Sequence, residues 1–195
     1  FLGGADHLFC QNKSQKKLFF ALSRGLKGKK INFDLNPKNI KNVDSLIHEL
    51  RLLKSKEEIS IIQQACDISS SAHERAMKAV KSEMYEYQLE AEYLHEFMVN
   101  GAMECAYPSI VGGGENACIL HYNKNTDLLK DGDLVLVDAG CEYKGYASDI
   151  TRTFPVNGKF SSEQKLIYEI VLESQKQSIE SISEKSNPLE THKKS

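Results

Sequence analysis

Two aspartates in one short stretch carry the most chemical meaning in this sequence of 195 residues. Asp138 closes a run of Leu and Val, and Asp149 lies in a β-branched and aromatic segment that ends at Phe154. Both segments have the composition of strands, and the three residues from Tyr143 to Gly145 predict the turn between them. If this hairpin is symmetric about the bond after Tyr143, residues whose numbers add up to 287 face each other, as Asp138 and Asp149 do.

Opposed carboxylates on neighbouring strands need a physical reason, because like charges with Cβ atoms about 4.5–5.5 Å apart repel each other. The face can be solvated, which is the commonest case for two arbitrary acids. The pair can share a proton, which raises one pKa. One or two divalent cations, about 3.5–4 Å apart if two, can bridge the carboxylates. Leu134, Leu136 and Ile150 predict a partly buried sheet, where unpaired charge is costly, and no Lys or Arg adjoins Asp138. These neighbours favour the metal site, although a bulge at Gly145 would shift the register by one residue.

A longer run around the aspartates resembles Xaa-Pro aminopeptidase (aminopeptidase P), a family of dinuclear metallopeptidases with the pita-bread (creatinase/aminopeptidase-type) fold. The similarity rests on Ile110-Val-Gly-Gly-Gly-Glu-Asn-Ala-Cys-Ile-Leu-His121-Tyr-Asn-Lys-Asn and on Asp131-Gly-Asp-Leu-Val-Leu-Val-Asp138-Ala-Gly-Cys-Glu-Tyr-Lys-Gly-Tyr-Ala-Ser-Asp149-Ile-Thr-Arg-Thr-Phe-Pro-Val-Asn-Gly-Lys-Phe160. It extends more loosely from about His48 to about Ser178. Methionine aminopeptidase shares the fold and the paired Asp, but its pattern fits these strings less well.

The resemblance implies a role for each of three residues. In the family, the equivalent of Asp138 binds one metal, that of Asp149 bridges both, and that of His121 contacts the substrate carbonyl as it becomes tetrahedral. It also implies two Mn²⁺ ions, since oxygen-rich ligation suits hard cations. A metal-bound hydroxide then attacks the peptide bond before proline, which releases the first residue of peptides with proline in second position. Without the resemblance, a lone His such as His121 is more often structural than catalytic.

The family completes its site with a His and two Glu ligands from a second half of the pita-bread domain, and this chain ends before that half begins. We therefore expect an incomplete record of a Xaa-Pro aminopeptidase that is inactive alone. The alternative is a complete chain that acts as a non-catalytic binding or interaction module built on half of the fold. In that case the apolar faces of Leu89, Phe97 and Ile170 would be partly uncovered, and a partner or a second copy in a homo-oligomer would cover them.

Other motifs carry less chemistry. His95-Glu96 lacks the second His of a zinc-protease helix, because position 99 is Val99. The glycines from Gly112 to Gly114 predict a close backbone approach or a tight turn, since no Gly-Lys-Ser/Thr follows. His48 and His73 have acidic or apolar helical neighbours and are most simply surface residues.

The expected fold class is α+β, a partial pita-bread fold in which helices pack on an antiparallel sheet. A short helix covers about 46–53, and a capping box from Ser55 to Glu58 starts a long one. A further helix covers about 84–100 and ends at Gly101, a strand over 117–120 delivers His121, and a cap from Ser161 to Gln164 opens the last helix. The predicted inward residues of the three longer helices are Ile59, Ile62, Cys66, Ser69, Ala72, Ala76 and Val80; Leu89, Tyr93 and Phe97; and Leu166, Ile167, Ile170, Val171 and Ser174.

Residues 1–43 are predicted to be the tail of an amino-terminal domain with a linker over 36–42, residues 44–183 the first half of the catalytic domain, and 184–195 a polar tail without fixed structure. The net charge of -2 gives no reason to expect nucleic acid or a membrane surface as partner. Five cysteines without a C-x-x-C pair indicate reduced thiols, most of them buried, in a cytoplasmic protein. No apolar run approaches the length of a membrane span.

Overall fold

The computed structural model describes residues 8–10, 40–42, 44–183, 187, 189 and 192. The chain divides into two compact units, Phe1–Glu58 and Ile59–Ser195. In the first unit, strand β1 (Leu8–Cys10) pairs in parallel with β2 (Ile40–Asn42), and helix α1 (Asp44–Leu52) follows. The end of the predicted linker is thus a strand. Most of the segments 1–43 and 184–195 lies outside the described residues, and the predicted domain limits stay predictions.

The second unit contains the sheet on which the aspartates lie. Its elements, in chain order, are α2 (Lys56–Ala79, beginning in the first unit), α3 (Glu86–Val99), β3 (Glu104–Cys105), β4 (Ile110–Gly113), a 3₁₀ helix (Gly114–Cys118), β5 (Leu134–Ala139), β6 (Cys141–Tyr143), β7 (Tyr146–Ala147), β8 (Ile150–Pro155) and α4 (Ser162–Glu180). The strands pair antiparallel in the orders β4-β5-β8 and β3-β6-β7. The predicted α+β class is confirmed.

Helix α2 begins as the sequence predicts, with a reciprocal capping box. The Ser55 backbone N–H donates to Glu58 Oε2 at 2.6 Å, and the Glu58 N–H donates to Ser55 Oγ at 3.2 Å. Its buried residues are Ala65, Ser69, Ala72, His73 and Ala76. The predicted stripe is therefore correct in its carboxyl-terminal half but wrong at Ile59, which is 56% exposed. Small side chains form most of the buried stripe, so the helix backbone can approach the strands closely.

Helix α3 follows the predicted pattern throughout. Leu89, Tyr93 and Phe97 recur every fourth residue and are fully buried, so the expectation that Leu89 and Phe97 would be partly uncovered is wrong. Gly101 directly follows the end of the helix with φ +85°, a conformation that favours glycine at this position. No helix of the described residues has the length and apolar character needed to span a bilayer.

The central hairpin differs from the prediction in its register. Lys144 (φ 51°) and Gly145 (φ 85°) form a two-residue turn, and paired residues add up to 289 instead of 287. Asp138 therefore faces Thr151 and not Asp149. A slip of two residues preserves the side on which every side chain projects, because side chains alternate with a period of two. The two aspartates consequently remain on one face, displaced diagonally.

The hairpin is interrupted beside Asp149, where β7 ends and β8 begins. A Cβ atom on Gly140 would lie 1.9 Å from the carbonyl oxygen of Ser148, so the two chain segments approach more closely here than any other residue type would allow. On β5, Val135, Val137 and Ala139 are buried, whereas the alternate residues, Asp138 among them, are half-buried. The sheet thus has a sealed inner face and a more open outer face that carries the aspartates.

Helix α4 is capped as predicted but remains exposed. The Gln164 N–H donates to Ser161 Oγ at 3.2 Å, and the Ser161 N–H donates to Gln164 Oε1 at 2.9 Å. Ile170 is 59% exposed, as expected for an uncovered apolar face, and the predicted inward positions of this helix are not buried. A groove of about 670 Å³ runs between α4 and the outer face of the sheet, with Leu134 and Leu136 on its walls.

Candidate active site

One tyrosine joins the two aspartates. The hydroxyl of Tyr107, which lies between β3 and β4, is 2.6 Å from Asp138 Oδ1 and 3.0 Å from Asp149 Oδ1. A hydroxyl has a single hydrogen, so it can donate to only one of the two carboxylates at a time. The two side chains therefore converge as predicted, although they are not paired directly across the hairpin. Tyr107 was not predicted, because nothing in its local sequence points to a partner 31 residues away.

Within the described residues, the two carboxylates have no cationic partner. Among residues 44–183, the ion pairs lie on the helices, and no Lys, Arg or His forms one with Asp138 or Asp149. Burial and the two neighbouring carboxylates raise the pKa of Tyr107, so its hydroxyl stays protonated and acts as a donor. The site is thus rich in oxygen acceptors and poor in positive charge, a composition that fits a hard divalent cation.

Helix α2 holds the backbone on both sides of Asp149. Ser69 Oγ lies 2.7 Å from Ser148 Oγ, and both hydroxyls accept from the backbone N–H of Cys141, at 3.2 and 3.0 Å. On the other side, His73 Nε2 lies 2.9 Å from the carbonyl oxygen of Ile150. Buried hydrogen bonds to its two sequence neighbours fix the position from which the Asp149 side chain projects.

His73 is a buried structural residue, which corrects the prediction that it lies on the surface. It is 3% exposed, and its Nδ1 lies 2.8 Å from the Tyr93 hydroxyl. Since the carbonyl of Ile150 can only accept, Nε2 carries the hydrogen, and Nδ1 of the neutral ring accepts from Tyr93. Burial lowers the pKa of His73 and so favours this neutral form. The helical spacing from Ser69 would have placed His73 on the buried face. His48, by contrast, is exposed as predicted.

A second buried group, Glu86 at the start of α3, organises the loop that carries His121. Its carboxylate is fully buried and accepts four hydrogen bonds, and three of the donors are the Gly113 N–H (2.9 Å), the Tyr122 hydroxyl (2.7 Å) and the Asp127 N–H (3.0 Å). The fourth donor is Asn116 Nδ2 at 3.0 Å. A buried carboxylate is stable only when it is satisfied in this way. No local sequence pattern points to Glu86, because its partners lie 27 to 41 residues away.

His121 reaches the site from a different element than predicted. The segment 117–120 is not a strand: the 3₁₀ helix ends at Cys118, and Ile119 and Leu120 are exposed. The reason is the close packing of Gly112 against the backbone of Asn116, which turns the chain sharply and confirms the predicted close approach at the glycines. His121 itself is exposed and adopts a left-handed φ of 55°.

Asp138, Asp149 and His121 line one pocket. The pocket has a volume of about 330 Å³, and its walls also include Tyr107, Ile110 and Asn123. Among the described part of the chain, no three His, Cys, Asp or Glu side chains form a ready metal cluster. The structure therefore brings the three predicted residues together but supplies two carboxylate ligands, and the roles of all three stay predictions.

Comparison with known proteins places this geometry in a family. Residues 60–194 match the model of metallopeptidase family M24. The chain is 59% identical over 129 residues to the Xaa-Pro aminopeptidase of Escherichia coli strain K12, which covers 66% of this chain and 29% of that protein. The chain thus spans less than a third of the length of this curated relative.

Solved structures give the same result for the fold. A variant of Escherichia coli aminopeptidase P in complex with substrate superposes with a TM-score of 0.86 at 44% identity, covering 97% of this chain and 44% of that chain. A zinc-substituted form of the same enzyme in complex with product also gives a TM-score of 0.86 at 44% identity, over 97% of this chain and 44% of that one. The partial pita-bread fold is confirmed.

The neutral state of His73 predicts how stability depends on pH. Because the pKa of His73 in the folded chain lies below the ordinary histidine value of about 6.5, its contribution to stability is complete above about pH 6.5 and is lost as pH falls through the folded pKa. In His73→Gln, the slope of unfolding free energy against pH between about 5 and 6.5 should be shallower than in the parent, by up to about 1.4 kcal/mol per pH unit. Urea titrations at several pH values measure this. His95→Gln, an exposed site on α3, is the matched control, and identical slopes for parent and His73→Gln would contradict the assignment.

Removal of the charge on Glu86 should destabilise the folded chain strongly, because the His121 loop loses its central hydrogen-bond acceptor. In Glu86→Gln the amide nitrogen would face hydrogen-bond donors that need an acceptor, and we expect a loss of about 3 kcal/mol in unfolding free energy. Glu115→Gln, an exposed change on the 3₁₀ helix, should stay within about 0.5 kcal/mol of the parent. Chemical denaturation compares the two variants, and equal stabilities would show that Glu86 does not organise the loop.

Proposed function

The chain belongs to metallopeptidase family M24, and from this membership we propose that it serves a metal-dependent aminopeptidase activity on peptides with proline in second position. One observation carries the proposal: Asp138, Asp149 and His121 line a single pocket in a fold that matches aminopeptidase P. Since the chain covers only part of its relatives, we propose this activity for a protein that contains the rest of the fold, and inactivity for the 195-residue chain alone.

Asp138 and Asp149 would hold the cation. Their oxygens already converge on one point, the Tyr107 hydroxyl, and no basic side chain competes for them among the described residues of the site. A divalent ion bound there lowers the pKa of water and polarises a carbonyl. We propose Mn²⁺ because carboxylate oxygens suit hard cations, with the zinc-substituted relative identifying Zn²⁺ as the competitor to test.

His121 would act on the substrate. His121 is exposed and lines the same pocket as the carboxylates, so one of its ring nitrogens can donate a hydrogen bond to a peptide carbonyl as negative charge develops on the oxygen. Tyr107 positions the two carboxylates, and the pocket of about 330 Å³ admits a small peptide segment and not a folded chain. A peptide with a free amino terminus fits these limits.

A second candidate function is the non-catalytic module. It is favoured by the exposed apolar residues of α4 and by the lack of a three-ligand cluster in the described part of the chain. In this reading a partner or a second copy covers α4. The cytoplasmic location stays a prediction, which rests on the cysteines. The four cysteines with described side chains are free. Of these four only Cys141 is buried, so the expectation that most of the cysteines are buried is wrong.

Metal binding by the chain tests the aspartate pair directly. We expect isothermal titration calorimetry to show weak Mn²⁺ binding, at millimolar to high micromolar dissociation constants, because two carboxylates replace only part of the ion's water shell. Asp138→Asn and Asp149→Asn should each abolish the signal. Asp67→Asn, an exposed change on α2, should leave it unchanged. Binding that survives both site changes would place the ion elsewhere, and no binding to the parent would favour the module.

A hybrid enzyme tests the activity. The segment of the Escherichia coli Xaa-Pro aminopeptidase that this chain matches is replaced by the corresponding residues of this chain, and release of the first residue from an Arg-Pro-Pro peptide is measured with Mn²⁺. We expect activity from the hybrid, loss of activity with Asp149→Asn, and a fall in kcat of about a hundredfold or more with His121→Asn.

The controls separate failure of folding from failure of function. His95→Asn, on the exposed face of α3, should keep full activity, and circular dichroism should match the relative. A folded hybrid without activity would contradict the proposed function. Release of the first residue by the 195-residue chain alone, sensitive to Asp149→Asn, would contradict its proposed inactivity.

A further inference from the structure

Two cysteines face each other on neighbouring strands next to the site. Cys105 on β3 pairs with Cys141 on β6 in the antiparallel register. The Ala106 N–H donates to the Gly140 carbonyl at 2.9 Å. Ala106 follows Cys105, and Gly140 precedes Cys141. The cysteines therefore occupy a non-hydrogen-bonded pair, in which Cα atoms are about 4.5 Å apart and side chains are closest.

This position meets the backbone requirement for a disulfide. Disulfides need Cα atoms about 4.4–6.8 Å apart, and directly opposed residues project their side chains to the same face of the sheet. Cys141 is fully buried, and Cys105 is half-buried and packs against the apolar cluster that contains Cys141. We infer that Cys105 and Cys141 are a modification site at which a low-molecular-weight disulfide forms a reversible intrachain disulfide.

The chemistry proceeds by two exchanges. The Cys105 thiolate attacks a sulfur of the small disulfide, which forms a mixed disulfide and releases one small thiolate. The Cys141 thiolate then attacks the Cys105 sulfur and releases the second. The two protein thiols lose two electrons and two protons, and the small disulfide takes them up to become two thiols. Burial raises the pKa of Cys105, so the first exchange is slow at neutral pH and accelerates as pH rises.

Two other thiols provide internal competitors. Cys66 follows Ala65, whose carbonyl accepts from the Cys141 thiol at 3.4 Å, so Cys66 is the alternative partner of Cys141. Cys118 is exposed on the 3₁₀ helix and is free, and none of the other cysteines with described side chains pairs with it across a sheet, so it should stop at the mixed disulfide. A cross-link between Cys105 and Cys141 would also join the segments that carry Tyr107 and Asp138, whose hydroxyl and carboxylate meet at 2.6 Å.

Peptide mapping tests the inference. The folded chain is incubated with oxidised glutathione at about pH 8.5, near the ordinary thiol pKa, then alkylated and digested without reduction for mass spectrometry. We expect a linked Cys105–Cys141 peptide, a glutathione adduct on Cys118, and loss of both after dithiothreitol. Cys66→Ser should keep the linked peptide, and Cys105→Ser should remove it. A Cys66–Cys141 link, or glutathione retained on Cys105 with Cys141 unlinked, would overturn the inference.

A measurement of stability tests for the Cys105–Cys141 disulfide independently of the peptide mapping. The bond would join two positions 36 residues apart in sequence (141 − 105) and so restrict the unfolded chain. Oxidation should raise the urea midpoint of the parent and of Cys66→Ser but not that of Cys105→Ser. An unchanged midpoint in the oxidised parent would overturn the inference. Neither readout requires enzyme activity, so failure of the proposed aminopeptidase function would leave this result unaffected.

Discussion

Two carboxylates that share one proton donor are the constraint on which the site depends. The two acceptor oxygens lie within hydrogen-bonding distance of the same Tyr107 oxygen, so they are no more than 5.6 Å apart, the sum of the two distances. At an effective dielectric constant of about 20, two such charges repel with an energy on the order of 3 kcal/mol, and water around exposed Asp149 reduces this. A cation between them reverses the sign of the interaction. The protein tolerates the repulsion in a place where binding a cation would relieve it.

The backbone around Asp149 shows how the fold resists this repulsion. Ser148, on one side of Asp149, is hydrogen-bonded to Ser69 of α2, and Ile150, on the other side, is hydrogen-bonded to His73 of α2. His73 is also hydrogen-bonded to Tyr93 of α3. The two serines, His73 and Tyr93 are buried and paired, so displacing any of them would leave a polar atom without water or partner. Two helices therefore resist the repulsion between the aspartates through hydrogen bonds to the residues beside Asp149, directly or through His73, and not to the carboxylates. The helices are packing elements, and their buried polar contacts make them positioning elements as well.

Sequence reasoning succeeded for the aspartate face of the sheet and for α3, where periodicity agrees with the packing, but not for the apolar stripe of α4. The face shared by Asp138 and Asp149 was predicted despite a register error of two residues, because a slip of two changes the partner of a residue but not the side of the sheet. The inward residues of α3 and both capping boxes follow from local patterns in the same way. His73 was misassigned although its helical spacing from Ser69 places it on the buried face. Tyr107 and Glu86 were missed because their partners lie far away in sequence, and a single chain contains no local signal for such contacts. The 3₁₀ helix was missed for the same reason, since only the packing of Gly112 on Asn116 excludes a strand.

The outer face of the sheet connects the site to the rest of the surface. Leu134, Leu136 and Asp138 alternate along β5 on this face, so the apolar groove beside α4 and the pocket with the carboxylates are neighbours on one strand. Electrostatic attraction between a cation and carboxylates strengthens as water is excluded. A surface that covered the groove and extended over Asp138 would strengthen this attraction. The open outer face thus leaves both the apolar residues of α4 and the Asp149 carboxylate exposed to water.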